Sequence, residues 1–255
     1  MSKSIAKRHQ YILNKIQEHG FVNVHELSEE LDVSMVTIRK DLKILESRNL
    51  LYRTHGSATL ANPFIVDRNI HEKEKIRIEQ KVRIAKAAAQ LVQPHDSIIL
   101  ASGSTMLELA KQLQNQKELT VVSASLNVSQ ILNINPDIEI HQLGGTIRKS
   151  SNSTIGPFAE KMLENYSCNI LFLGADGVDP DFGLTTTNAM EASLNEKMIR
   201  AASKVVVLAD SSKFGKRGFG KICELNVVDI IITDNEVSGM LVKKIQEKGV
   251  DIVTV

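Results

Sequence analysis

Two cysteines in 255 residues, Cys168 and Cys223, are too few for a disulfide framework. They fit a reducing cytoplasm, with both thiols read as small buried side chains rather than reactive ones. No apolar run approaches the ~18 residues of a membrane span. The opening M-S-K-S-I-A-K-R-H-Q leads into an amphipathic pattern rather than a signal-peptide core. A cytoplasmic chain with no membrane partner is the expectation. Charge of one sign is missing as well: 31 Lys and Arg against 30 Asp and Glu give +1, which argues neither for nor against nucleic acid. The His residues at 9, 19, 25, 55, 71, 95 and 141 show no metal-ligand spacing, and neither G-x-S-x-G nor H-E-x-x-H occurs. No metal, cofactor or hydrolase site is expected. Gly215-x-x-x-x-Gly220-Lys221 has P-loop spacing, but Ile222 stands where Ser or Thr must hold Mg²⁺.

What is present begins with Ser34 to Lys43, S-M-V-T-I-R-K-D-L-K. At about 100° per residue, Ile38, Leu42 and Leu45 fall on one side as an apolar stripe. Val36, Thr37, Arg39, Lys40 and Lys43 fall on the other, a cationic face with hydroxyl and methyl groups suited to a DNA major groove. Ser34 is the expected N-cap. Upstream, Ile5, Ile12, Leu13 and Ile16 form a helical stripe ending at Gly20. Phe21–Asn23 is long enough only for a small strand or extended link. Asn23 and Glu26 have capping-box spacing for a second helix, with Asp32-Val33 as the turn. Residues 50–60 read as two short strands around a Gly turn, a wing whose Arg53 and His55 could reach phosphate or the minor groove. Residues 1–60 carry nine Lys and Arg against seven Asp and Glu. The bland alternative is a three-helix domain with a solvated charged face.

The stretch L-S-E-E-L-D-V-S-M-V-T-I-R-K-D-L-K-I-L-E-S-R-N-L-L-Y-R-T-H-G-S-A resembles the winged helix-turn-helix of the DeoR/GlpR family of bacterial sugar-metabolism regulators. The V-S-x-x-T-I-R-x-D-L-x-x-L-E signature and the later R-x-H-G are matched nearly residue for residue, with Asn49 where Gly is common. The resemblance implies a transcriptional regulator, a repressor of a sugar-utilisation operon, bound to double-stranded operator DNA as a homodimer or homotetramer.

Residues 61–75 lose periodicity, contain a Pro and are rich in charge, so they are read as a linker between a DNA-binding domain at 1–60 and a second domain at 76–255. A helix is expected from Ile76 to Val92, with Val82, Ala85, Ala89 and Val92 inward. Seven short Val/Ile/Leu runs then alternate with helical stretches: 97–101, 119–123, 138–143, 169–173, 204–209, 229–233 and 250–255. That alternation predicts an α/β domain with a largely parallel sheet, buried on both faces. Ligands of such sheets collect at the carboxyl ends of the strands.

Those ends supply the candidate site. Ser102-Gly103-Ser104-Thr105 opens a helix, with Thr105 and Glu108 at capping-box spacing, and could hold a phosphate or be a plain turn. Gly144-Gly145-Thr146 precedes Arg148 and Lys149. Gly174-Ala175-Asp176-Gly177 is followed by Thr185 and Thr186, and Asp210-Ser211-Ser212-Lys213 ends a later strand. Together they offer anion donors, a carboxylate for sugar hydroxyls and a Lys charge. L-G-G-T-I-R-K-S, F-L-G-A-D-G-V-D, G-L-T-T-T-N, E-A-S-L-N-E-K-M (which adds Glu191) and V-L-A-D-S-S-K-F-G resemble the effector domain of the same family. That resemblance implies a fold similar to ribose-5-phosphate isomerase and a phosphorylated sugar as effector. The family often has Asp at the position of Ala101 and Thr-Asn at Ser123-Ala124, both expected to border the ligand. A sugar-phosphate isomerase or lactonase with Asp176 and Lys213 as catalytic groups is the competing reading.

Overall fold

In the computed structural model, which describes residues 5–19, 21–48, 50–54, 56–59 and 67–255, the chain divides into two units, Met1–Phe64 and Ile65–Val255. In the first, helix α1 (Ile5–His19) buries Ile12 and Ile16, one turn apart, and leaves Ile5 exposed. Strand β1 (Phe21–Asn23) leads into helix α2 (Val24–Leu31), whose first turn is capped by the Asn23 side chain accepting from the His25 amide at 2.8 Å. Asp32 takes a left-handed conformation (φ 50°) and turns the chain into helix α3 (Met35–Ser47). Ser34 caps α3 by accepting from the Thr37 amide at 3.2 Å.

The hairpin that follows, β2 (Tyr52–Thr54) and β3 (Ser57–Thr59), turns at Gly56 (φ 79°). β1 pairs antiparallel with β3, giving the order β1-β3-β2. The wing is thus a three-stranded sheet, with the segment before α2 as its edge. Val22, Leu27, Leu31, Ile38, Leu42, Leu45 and Leu51 close the core beneath it.

The second unit begins with a short helix, α4 (Ile70–Glu74), inside what the sequence suggested was linker. Asn69 caps it by accepting from the His71 amide at 3.0 Å, and Ile70 is buried, so this segment belongs to the folded unit. Helix α5 (Ile78–Ala89) turns Lys81, Ile84, Ala85 and Ala88 inward. The expected inward Val82 and Ala89 are only half-buried, because the buried face is rotated to include a lysine.

The order then runs β4 (Ser97–Leu100), α6 (Ser104–Leu113), β5 (Leu119–Ser123), α7 (Leu126–Leu132), β6 (Ile138–Gln142), the hairpin β7 (Thr146–Arg148) and β8 (Ser153–Ile155), and α8 (Pro157–Leu163). It continues with β9 (Cys168–Gly174), β10 (Gly177–Asp179), β11 (Gly183–Thr186), α9 (Ala189–Arg200), β12 (Ala202–Leu208), β13 (Gly220–Cys223), β14 (Ile230–Thr233), α10 (Gly239–Gln246) and β15 (Asp251–Thr254). The seven expected strands form one parallel sheet, β15-β14-β12-β9-β4-β5-β6. Successive residues of a strand face opposite sides. Ile98, Ile99 and Leu100 are all fully buried, as are Leu171, Phe172 and Leu173, so both faces of the sheet are covered.

Strand order reverses beside β4: the chain builds outward through β5 and β6, then returns to the other side of β4 with β9. Loops leaving β4 and β9 part there, and such a switch point leaves a crevice at the strands' carboxyl ends. The hairpin β7–β8 and a small antiparallel sheet, β10-β11-β13, wall it. Both cysteines are free; Cys168 is buried and Cys223 only half-buried, and burial pushes the Cys223 thiol up to about 12 and the Cys168 thiol above its ordinary value. Among the described residues no helix is long and apolar enough to cross a membrane.

Candidate DNA interface and sensor cavity

On α3 the two faces separate as the sequence indicates. Ile38, Leu42 and Leu45 are buried, while Val36, Arg39, Lys40 and Lys43 are exposed and Thr37 is half-buried. Ser34 and Thr37 hydroxyls lie 2.9 Å apart at the helix start. Arg39, Lys40 and Lys43 have no ion pair among the described residues, so their charge faces solvent. Val36 is 70% exposed, with Met35 exposed beside it, leaving methyl groups at the N-terminal end of the helix.

Arg53 is less free than the sequence suggested. Its amide donates to Glu46 Oε1 at 3.0 Å and its Nε to Glu46 Oε2 at 2.6 Å, tying the wing to α3. The bond to Arg53 holds the Glu46 carboxyl below its ordinary value. His55 lies outside the described residues.

Asp41, one residue after Lys40, points inward and is 3% exposed. It accepts from Arg8 Nη2 at 2.9 Å and from Arg8 Nε, and His9 Nε2 lies 3.1 Å from Oδ1. α1 and α3 are therefore joined by a buried, multiply bonded ion pair. The acidic face of α2 is partly spoken for too: Glu30 accepts from Lys15 and, at 3.1 Å, from Tyr11. Lys15 holds the Glu30 carboxyl low.

The second unit has a cavity at the switch point, with about 630 Å³ of empty space up to and including its open mouth. Ser102, Gly103, Ser104 and Thr105 line it from the start of α6, Arg148 from β7, Asp176 from the turn after β9, Thr186 from β11, Glu191 from α9 and Lys213 from the turn after β12. The capping box does not form. Gly103, at φ 130°, starts α6 without a side-chain cap, and Glu108 pairs with Lys111 at 2.7 Å instead. Thr105 is left in the first turn, at the cavity wall.

Five expected residues are not in the lining. Lys149 is exposed in the turn that follows β7, whereas Arg148, the last residue of the strand, lines the cavity. Gly145 serves packing, since a Cβ there would stand 2.7 Å from the Ile155 carbonyl oxygen, whereas one on Gly144 would meet only Met162 Sδ at 3.6 Å. At Gly177 a Cβ would meet the Lys216 carbonyl oxygen at 2.4 Å, and the buried Thr185 hydroxyl accepts from the Gly218 amide at 2.7 Å. Ala101 and Ala124 are 1% and 2% exposed, and with Ser123 they too lie outside the lining.

The cavity's charges are mutually engaged. Lys73 of α4, which the sequence reading missed, donates to Asp176 Oδ1 at 2.7 Å, and Lys213 Nζ stands 3.9 Å from the same oxygen. Burial alone would raise the Asp176 carboxyl; Lys73 and Lys213 outweigh it and hold it below the carboxylate range. Glu191 accepts from Ser102 Oγ at 2.7 Å and lies 3.5 Å from Arg148. The Thr186 hydroxyl sits 3.2 Å from Asp176 and 3.1 Å from Glu191. Lys81, also missed, donates to the carbonyls of Lys73 and, at 2.6 Å, Ile76. Burial pushes its pKa down to about 8 against the pull of Asp210. Four cations (Lys73, Lys81, Arg148, Lys213) face three carboxylates (Asp176, Glu191, Asp210) across the lining. Gly215 to Lys221 forms no phosphate loop: β13 carries Lys221 over the Phe182 ring and onto Glu224.

Residues 8–64 match the model of the DeoR-like helix-turn-helix domain and residues 76–235 that of the DeoR C-terminal sensor domain. A putative aga operon transcriptional repressor of Escherichia coli O157:H7 is 32% identical over 98% of this chain and 94% of its own. The regulator GolR of Listeria innocua is 33% identical over 96% and 97%, and GlpR of Haloferax volcanii 33% over 97% of each. Among solved structures, a D-ribose-5-phosphate isomerase in complex with phospho-erythronic acid overlaps 57% of this chain and 55% of its own, with a TM-score of 0.39 and 20% identity. A helix with cations outward and a core stripe inward, a capped helix before it, a wing after it, and full-length relatives that are regulators place the chain in the DeoR family of DNA-binding transcriptional regulators.

Proposed function

We propose that this chain is a repressor that reads operator DNA with α3, and that a phosphorylated sugar in the sensor cavity sets its affinity for that DNA. Arg39, Lys40 and Lys43 meet phosphates or guanine edges, Val36 and Thr37 face base edges, and Ser34 and Arg53 contact the backbone from the helix start and the wing. A homodimer or homotetramer presents two such helices to a two-fold operator.

The observation that carries the effector reading is the mixture in one cavity: Lys213, Arg148 and the uncapped start of α6 as anion donors, Asp176 and Glu191 as acceptors for hydroxyls. An anion with several hydroxyls satisfies both sets. Its effect on DNA is linkage: a ligand favouring the conformation with lower DNA affinity lowers operator occupancy.

Thermal-shift screening of sugar phosphates beside their unphosphorylated parents tests this. The phosphates are expected to stabilise the second unit, the parent sugars are not, and the stabilising compound is expected to shift affinity for DNA upstream of the chain's own gene. Stabilisation by parent sugars alone would overturn the phosphate assignment. Turnover of any aldose or ketose phosphate would replace the regulator reading of the cavity with an enzymatic one; none is expected.

A further inference from the structure

Residues 67–77 run along the cavity and are fastened at three places, each through charge. At the near end Asp67 accepts from Arg148 Nη2 at 2.7 Å, Thr187 Oγ1 at 2.9 Å and Ser150 Oγ at 3.2 Å. Midway, Lys73 holds Asp176, and the Ile70 amide donates to the Ser150 carbonyl at 2.7 Å. At the far end Arg77 packs against Asp210 (3.2 Å), Asp234 (3.3 Å) and Glu236 (3.0 Å). Arg77 does so at φ 54°, a left-handed conformation uncommon for a residue with a side chain.

The partners matter more than their number. Arg148, Asp176 and Asp210 all line the cavity, and so does Lys73 itself. Every fastening therefore spends a group that an incoming ligand would also use. Asp67 stands three residues beyond Phe64, where the amino-terminal unit ends, so the chain leaving the fastened stretch is the chain that enters the DNA-binding unit.

We propose that residues 67–77 are a strap through which occupancy of the cavity reaches the helix-turn-helix. An anionic ligand draws Lys73 and Arg148 to itself, Asp176 and Asp67 lose their cations, and the strap is released. This deepens the effector reading above and rests on it for the anion; the fastening itself stands on the ion pairs.

Hydrogen exchange on the full chain separates the two. Without ligand, Asp176→Asn and Lys73→Met each remove the middle fastening from opposite sides. Amides of 69–75 are expected to exchange about tenfold faster in both, while β4 and β9 amides keep wild-type rates and report an intact fold. Wild-type rates at 69–75 in both variants would overturn the strap. With wild type and inorganic phosphate as probe, faster exchange at 69–75 is expected alongside slower exchange at 102–107. Slower exchange at 102–107 with 69–75 unchanged would mean that the cavity takes an anion and the strap does not read it. Release in the variants with no effect of phosphate anywhere would support the strap and count against the anion. Finally, Asp67→Asn breaks the near fastening outside the cavity lining. It is expected to leave phosphate protection of 102–107 intact and to make affinity for the promoter DNA the same with and without phosphate; a wild-type response would overturn the proposal.

Discussion

The amino-terminal unit leaves Arg39, Lys40 and Lys43 exposed and without ion-pair partners among the described residues, whereas the sensor unit engages Lys73, Arg148, Asp176 and Glu191 with one another around its cavity. Free cations in water suit a polyanion, whose binding rises and falls with salt through counterion release. Charges already paired in a crevice suit a small ligand that must exchange places with existing partners. On the function proposed above, binding at the first unit would add contacts and binding at the second would rearrange them.

The contrast is broken most severely at Asp41, the amino-terminal unit's own buried charge. Asp41→Ala removes the buried carboxylate that Arg8 and His9 share, and a loss of about 3–5 kcal/mol is expected for that unit. Chemical denaturation of the full chain should show its transition move while that of the sensor unit stays. A shift below 1 kcal/mol would mean that water reaches the pair.

Next in size is the reading face. Arg39→Ala combined with Lys40→Ala is expected to weaken operator binding by roughly one to two orders of magnitude and to flatten the plot of log affinity against log salt by about 2. A footprint indifferent to both changes would sink the assignment of α3 to the groove. In the sensor unit, Lys213→Ala removes a cation at the cavity wall without unfastening residues 67–77. A roughly tenfold weaker thermal-shift response to the stabilising sugar phosphate is expected, with promoter affinity in its absence unchanged.

The remaining effect is one of pH. Burial holds the Lys81 pKa at about 8 in the folded chain, against 10.5 for a free lysine. Between those values the unfolded chain binds the proton and the folded chain does not, so this group's contribution to stability rises with pH there; below 8 its burial cost is fully present. Lys81→Met is expected to flatten the rise of Tm between pH 8 and pH 10. An unchanged slope would mean that the ammonium is hydrated in the folded state.

The parallel sheet and the two faces of α3 were legible in the sequence because each rests on periodicity, of Val, Ile and Leu in the strands and of Ile38, Leu42 and Leu45 in the helix. The cavity was legible only in part. Gly-rich strand ends look alike whether a ligand or a neighbouring backbone comes close, and at Gly145 and Gly177 it is backbone. Arg148 and Lys149 are adjacent cations that composition does not distinguish, yet only Arg148 lines the cavity. Residues 67–75 read as linker because a five-residue helix offers one turn of pattern, carried by Ile70 alone. Lys73 and Lys81, being charged, were excluded from any inward face by the same rule that found the core. The departures at Ala101 and Ala124 concern buried positions rather than the cavity wall.

Asp41 also acts as an indexing pin. Lys40 and Asp41 are consecutive, so about 100° of rotation separates what α3 offers to solvent from what it offers to the core. A slip by one residue would carry the carboxylate toward solvent and bring Lys40 toward the interior, wrong on both sides at once. Anchored to Arg8 and His9 of α1, the helix has a single azimuth, and the direction of its cationic row is fixed within the unit itself.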